Sequence, residues 1–338
     1  MKIAPGLCSK LFIAVKGFVI GIANIIPGVS GGTIALVLNV YERMINSINN
    51  FSLHTLAALG KVLTFSRKNR DAFKKEMRKV DMLFLLLLLL GIAAAFIAFS
   101  KLMTALLENS HDIAYGFFFG LILASIIVPM REIKKYNFIV VLFLAVGIAA
   151  VVVMSVSVSD DQRIANALAE QQISASSGGT GGLTWTHGFM VFLTGILSTS
   201  AMILPGISGS FVSLLLGEYF YLLQAVAEFN LLVLGLYVAG AIIGLKLLAK
   251  VMNYLFRRFH DMLMAFLTGL VIGSLYVTWP FHNTYIVGDE TLFLSNTLPS
   301  AFGTNEWLTT AAALVGILIV LGILMLNKAA QKRKPAEL

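Results

Sequence analysis

Ile25-Ile26-Pro27-Gly28-Val29-Ser30-Gly31-Gly32-Thr33 lies in apolar sequence and returns later as Ile203-Leu204-Pro205-Gly206-Ile207-Ser208-Gly209-Ser210. Neither copy reads as a uniform membrane helix. Proline removes a backbone donor and glycine permits tight turns, so each copy predicts a helix broken at membrane depth, with a second half-helix starting near the serine. The free N–H groups at such a start favour an anion, and the hydroxyls of Ser30, Thr33, Ser208 and Ser210 add donors. Two copies, one in each half, predict a transporter with its site where the repeats meet.

The rest of the composition agrees with a membrane setting. The chain has 338 residues, 58% hydrophobic and 12% charged, and its mean hydropathy is +0.88. These values lie outside ordinary soluble composition and indicate an integral membrane protein. Lys2, Lys10 and Lys16 precede or enter the first apolar run, but no small-residue cleavage pattern closes a short core, so the N-terminus is expected to be retained. Cys8 is the only cysteine, which excludes an intramolecular disulfide and a multi-cysteine zinc or iron–sulfur site. The five histidines lack metal-ligand spacing, so neither metal nor cofactor is expected. The formal charge of +8 gathers at the ends of apolar spans, which the positive-inside rule explains without nucleic acid.

Charge then assigns sides. Residues 61–81 hold eight basic residues against Asp71, Glu76 and Asp81 and should form a cytoplasmic loop. Full spans are expected at about 83–107, 113–130, 138–158, 231–255, 261–279 and 307–326, the first being about 37 Å of helix at roughly 1.5 Å per residue. Arg131, Lys134, Lys135, Arg257, Arg258 and the basic tail from Lys328 mark inner ends, while residues 281–306 contain no Lys or Arg and should lie outside. Residues 159–187 are a polar, Ser/Gly-rich external connector between a first half, 1–158, and a second half, 188–338. The first broken unit must begin and end inside, and the second must begin and end outside. The expected fold is therefore an all-α polytopic membrane protein, an inverted-topology duplication with two re-entrant hairpins and about six full spans. A second ungapped match supports it: His111-Asp112 to Ser125 aligns with His260-Asp261 to Ser274, the first at an outer turn and the second at an inner one.

Other polar residues have two readings each. Asp112 and Asp261 can cap the helices that follow, or the His-Asp pairs can carry protons. Lys101 and Lys246 interrupt apolar spans, either as snorkelling ends or as parts of a substrate path, and Lys250 near an inner end can simply snorkel. Glu42 and Arg43 follow the first break and Glu218 the second; a carboxylate there can serve coupling by a proton or sodium ion, or face an aqueous rim. Asn24 can bind a headgroup oxygen, whereas Met202 takes its place in the second copy.

The two motifs, Asn24 to Thr33 and Leu204 to Ser210, resemble those of the bacterial polyprenyl-phosphate transporters, formerly a domain of unknown function, and the resemblance covers about residues 10–326. It implies a carrier that returns undecaprenyl phosphate across the bacterial cytoplasmic membrane for reuse in envelope synthesis, with the phosphate received around Ser30, Gly31, Gly32, Ser208, Gly209 and Ser210. Ser210 stands where the first copy has Gly32, and Phe211 where it has Thr33. From the residues alone, an ion-coupled carrier of a small anion uses the same half-helices and remains the alternative. An enzyme is not expected, since a phosphatase needs a nucleophile with acid–base partners or a metal cluster. Polyprenyl phosphate, bulk membrane lipid and a coupling ion are the expected partners; oligomeric state is not legible.

Overall fold

A computed structural model describes residues 7–25, 30–52, 54–55, 57, 67–165, 168, 184–287, 290–299 and 301–332. The chain forms two compact units, one made of Met1–Ser100 with Ser176–Leu263 and the other of Lys101–Ala175 with Met264–Leu338.

In the first unit, helix α1 (Leu7–Ile25) leads through the first break into α2 (Gly31–Val37), a tight turn and α3 (Tyr41–Asn50). The basic stretch forms α4 (Arg67–Val80), and the long α5 (Met82–Ser125) follows. Helix α5 is interrupted at Ser110, whose φ of −150° and ψ of 45° end one apolar span before the next begins. The chain continues through α6 (Ile127–Glu132) and α7 (Phe138–Val156), where the Asn137 side chain caps the first turn by accepting from Val140 N–H.

After the connector the same plan starts again with α8 (Trp185–Ile203), α9 (Gly209–Leu215) and α10 (Tyr219–Ala227). Trp185 follows Leu7 by 178 residues, and the same interval separates Ile25 from Ile203, Gly31 from Gly209 and Tyr41 from Tyr219. Even the turn repeats: Asn39 (φ 53°) and Gly217 (φ 76°) are both left-handed just past the half-helix, the conformation asparagine and glycine tolerate best.

Helix α11 (Leu231–Arg258) and α12 (His260–Val277) then parallel the two parts of α5, and α13 (Thr304–Lys332) ends the described chain. Close helix crossings recur at matching positions of the two copies. A Cβ at Gly17 would overlap the Leu88 carbonyl and one at Gly91 the Ala14 carbonyl; in the second copy Gly195 meets Tyr237 and Gly240 meets Phe192 in the same way. Small residues let the backbones approach, the usual basis of helix association in lipid. In the second unit Gly120 abuts the Ala313 carbonyl and Gly316 that of Phe117, while Gly269 abuts Leu144 and Gly147 abuts Phe266. The last helix of each half therefore crosses a helix of the other half.

Among the described residues seven helices are long and apolar enough to span a membrane, and the pair Gly209–Leu215 and Tyr219–Val226 is bent by 115°. The seventh, beyond the six expected full spans, is Trp185–Ile203, which the sequence places within the second broken unit. Their flanks are apolar and exposed, as at Ile97 (84%) and Phe138 (81%), which suits contact with hydrocarbon.

The segment read only as an external loop carries two antiparallel strands, β1 (His282–Val287) and β2 (Glu290–Asn296), with an irregularity between His282 and Thr284. Trp279 Nε1 donates to the Thr297 carbonyl at 2.8 Å and Asn296 to that of Tyr276 at 2.7 Å, tying the ribbon to the end of α12. Phe293 stacks on His111 with centroids 3.3 Å apart, and His111 also stacks on Tyr115.

Candidate functional site at the paired helix breaks

Both half-helices lie in the first unit, and the start of α2 touches the second break. Ser30 and Ser208 are the N-caps, with extended backbone at φ −90° and −97°, and neither uses its hydroxyl to cap its own helix. Ser30 Oγ instead donates to the Leu204 carbonyl at 3.3 Å. Gly206, at φ 78°, donates its N–H to Thr33 Oγ1 at 3.0 Å. Thr33 is fully buried. A Cβ at Gly32 would lie 2.6 Å from the Ile203 carbonyl, so a glycine is required where the two breaks pass. The Asn24 side chain reaches back over the break and accepts from Gly31 N–H at 2.9 Å. Pro27 and Gly28 lie outside the described residues.

The two copies thus sit in different surroundings. The start of α2 is buried, and its first N–H is answered by Asn24. At the start of α9, Ser208 and Ser210 are exposed and share a 2.7 Å hydrogen bond, either being able to donate. Gly209 packs against the Ser198 carbonyl, where a Cβ would stand 2.7 Å away, and Ser198 and Ser213 pair at 2.8 Å beneath it. Pro205 is buried behind the turn. Two exposed hydroxyls at the start of a helix can donate to an anion.

The other expected residues are spread around this centre. Glu218, 7% exposed, begins α10 and meets His187 Nε2 at 2.9 Å. His187 also packs against the Tyr221 ring. No spacing in the sequence pairs residues 31 apart, so His187 was not distinguishable from the other histidines. Glu42 and Arg43 lie at the start of α3; Arg43 Nε donates to Asp81 Oδ2 at 2.7 Å, and its guanidinium lies over the Phe84 ring. The Lys246 ammonium donates to the carbonyls of Ile48, Asn49 and Phe51 at the end of α3. Lys101 is helical, but its side chain lies outside the described residues. Lys16, read from the sequence only as part of a basic start, donates from Nζ to the Leu38 carbonyl at 2.7 Å and so closes the end of α2. A lysine amid apolar residues was the available signal. Asp112 pairs with His111 at 3.2 Å and accepts from Asn305 at 2.9 Å.

A broken-helix unit and, among the described residues, seven helices long and apolar enough to cross a membrane define a multi-pass helical membrane protein. The chain belongs to the undecaprenyl phosphate translocase-like family, which it matches over residues 20–292, a family of transporters and not of enzymes. It is 31% identical over 320 residues to a polyprenyl-phosphate transporter of Vibrio cholerae, covering 91% of this chain and 94% of that protein. A polyprenyl-phosphate transporter of Staphylococcus aureus is 30% identical over 282 residues, 80% of this chain and 87% of its own length. No solved structure matches the chain.

Proposed function

We propose that the chain carries polyprenyl phosphate, undecaprenyl phosphate in the first instance, across the bacterial cytoplasmic membrane, holding the phosphate at the paired breaks while the prenyl tail stays in hydrocarbon. The names of the two relatives support the substrate. The observation that carries the site is the contact between the breaks, which buries the first half-helix start and leaves Ser208 and Ser210 exposed on the second. The leading contact is then the start of α9, with Ser30, Gly31, Gly32 and Thr33 holding it in place. Keeping the charge on protein donors avoids the cost of moving it through lipid.

Alternating access follows from an inverted relation between the repeats, and the charge distribution supports that relation. It requires residues near Lys74 and Tyr285 to face opposite compartments; cysteines at the two positions that react from the same side would remove it. The substrate is tested by transport of labelled undecaprenyl phosphate into sealed proteoliposomes with inorganic phosphate and sulfate as competitors. Transport blocked by the lipid and not by the small ions is the expected result, and preference for the small ions would reject the assignment. Imposing proton and sodium gradients separately in the same assay identifies the coupling ion.

A further inference from the structure

A cavity of about 1110 Å³ opens within the first unit at the far end of α2 from the break. Seven helical residues separate the two ends, about 10 Å along the axis. We infer that this cavity is a second binding site for the polyprenyl lipid, receiving its phosphate headgroup on the cytoplasmic side; the inference rests on the proposed function above.

Three features define the occupant. The wall carries Lys10, Arg43, Arg78 and Lys79 against Glu42 and Asp81. Arg43 is bound to Asp81, and Lys79 makes an outlying 3.5 Å pair with Glu76, which leaves the wall with an excess of positive charge for a phosphate monoester of about −1.5 to −2. The amides of Asn39 and Asn46 add neutral donors. Ile13, Leu83 and Leu87 add hydrocarbon to the wall, which a free anion does not need and an isoprenoid chain does. Next to Asn39 of the wall, the Lys16 ammonium answers the Leu38 carbonyl at the end of α2. At the 178-residue interval Asn39 and Arg43 become Gly217 and Tyr221, so the arginine has no counterpart in the second copy, while Asn46 becomes Gln224. The basic stretch assigns the face that holds the cavity to the cytoplasm.

The test uses the full chain in zwitterionic nanodiscs, with Cys8→Ser and a reporter cysteine from Asn46→Cys, and in a second preparation from Asn50→Cys in case the first fails to fold. Undecaprenyl phosphate at about ten times its Kd should slow maleimide labelling about tenfold. Phosphatidylglycerol and inorganic phosphate at equal concentration should not. Protection should disappear with Lys10→Gln plus Lys79→Gln and survive Lys79→Arg. Equal protection by phosphatidylglycerol would make this a general anionic-lipid surface, equal protection by inorganic phosphate a free-anion site, and protection that survives the double glutamine variant would remove the charge argument; each overturns the inference. Lipid transport without protection at either reporter overturns the cavity and leaves the proposed function standing, whereas loss of both binding and transport in the folded protein overturns both.

Discussion

Replacing Thr33 with valine keeps the shape of the side chain and deletes one oxygen. That oxygen is fully buried and is the acceptor for Gly206 N–H at 3.0 Å, the bond that joins the two breaks. With a valine methyl in its place, the N–H keeps its desolvation cost without a partner, and such a loss runs to about 1 to 3 kcal/mol. Gly206 is half-buried, so some water reaches the donor and the lower part of that range, about 1 to 2 kcal/mol, is expected. No cavity term adds to it, because the volume is conserved. Ser30→Ala is the internal comparison: its bond to Leu204 is longer, at 3.3 Å, and its loss should cost under about 1 kcal/mol. Both are measured by equilibrium unfolding in mixed micelles, together with undecaprenyl phosphate transport. Thr33→Val should be the less stable variant and should also slow transport, since the break that carries Ser208 loses its support. A Thr33→Val protein as stable as the parent, or less affected than Ser30→Ala, would show that the breaks are not held together by this bond.

Further outcomes follow from other parts of the fold. Ser208→Ala should weaken phosphate binding by about 1 to 2 kcal/mol, a five- to thirtyfold change in affinity, and Ser208→Asp should bind more weakly still because a carboxylate then occupies the anion's place; titration of undecaprenyl phosphate onto folded variants reads both. Gly240→Val places branched carbon against the Phe192 carbonyl and should destabilise by about 1 to 3 kcal/mol through overpacking, visible as a lower unfolding midpoint in micelles. Burial, reinforced by His111, pushes the His282 imidazole down from its ordinary value to about 4. Between that value and the ordinary one near 6.5 the unfolded ribbon binds more protons than the folded one, so stability rises with pH there; protection of the β1 and β2 amides from hydrogen exchange, corrected for intrinsic rate, should fall from pH 7 to pH 5 and should not fall in His282→Phe.

Local chemistry made the breaks readable. Proline and glycine act on their own peptide units, and the 178-residue interval holds through half-helix, turn and following helix because each is set by nearby residues. Helix α8 (Trp185–Ile203), the first arm of the second broken unit in the sequence reading, is also long and apolar enough to span a membrane by itself. The ribbon was missed in that reading. Thr284 to Val287 and Glu290 to Leu294, separated by Gly288-Asp289, carry a strand pattern, whereas lack of positive charge only assigns the segment to the outside. Contacts set by distant residues left no trace: His187 with Glu218, Lys16 with Leu38, and Ser30 with Leu204 are partners only in three dimensions. The inequality of the two copies was partly visible in Asn24 against Met202, yet only the structure shows which start is buried and which exposed.

The crossing of each half's last helix with a helix of the other half sets a timetable for synthesis. Gly147 cannot meet Phe266 until 119 further residues have been made, nor Gly120 meet Ala313 until 193 have. At about 5 to 20 residues per second, these helices wait in the bilayer for roughly 6 to 40 s with their glycine faces uncovered. During that interval the nascent chain depends on lipid or on the insertion machinery to occupy those faces, and a ribosome stalled in the connector would release a half whose own last helix has no partner. Helix α13 is therefore a late partner for α5 within the second unit.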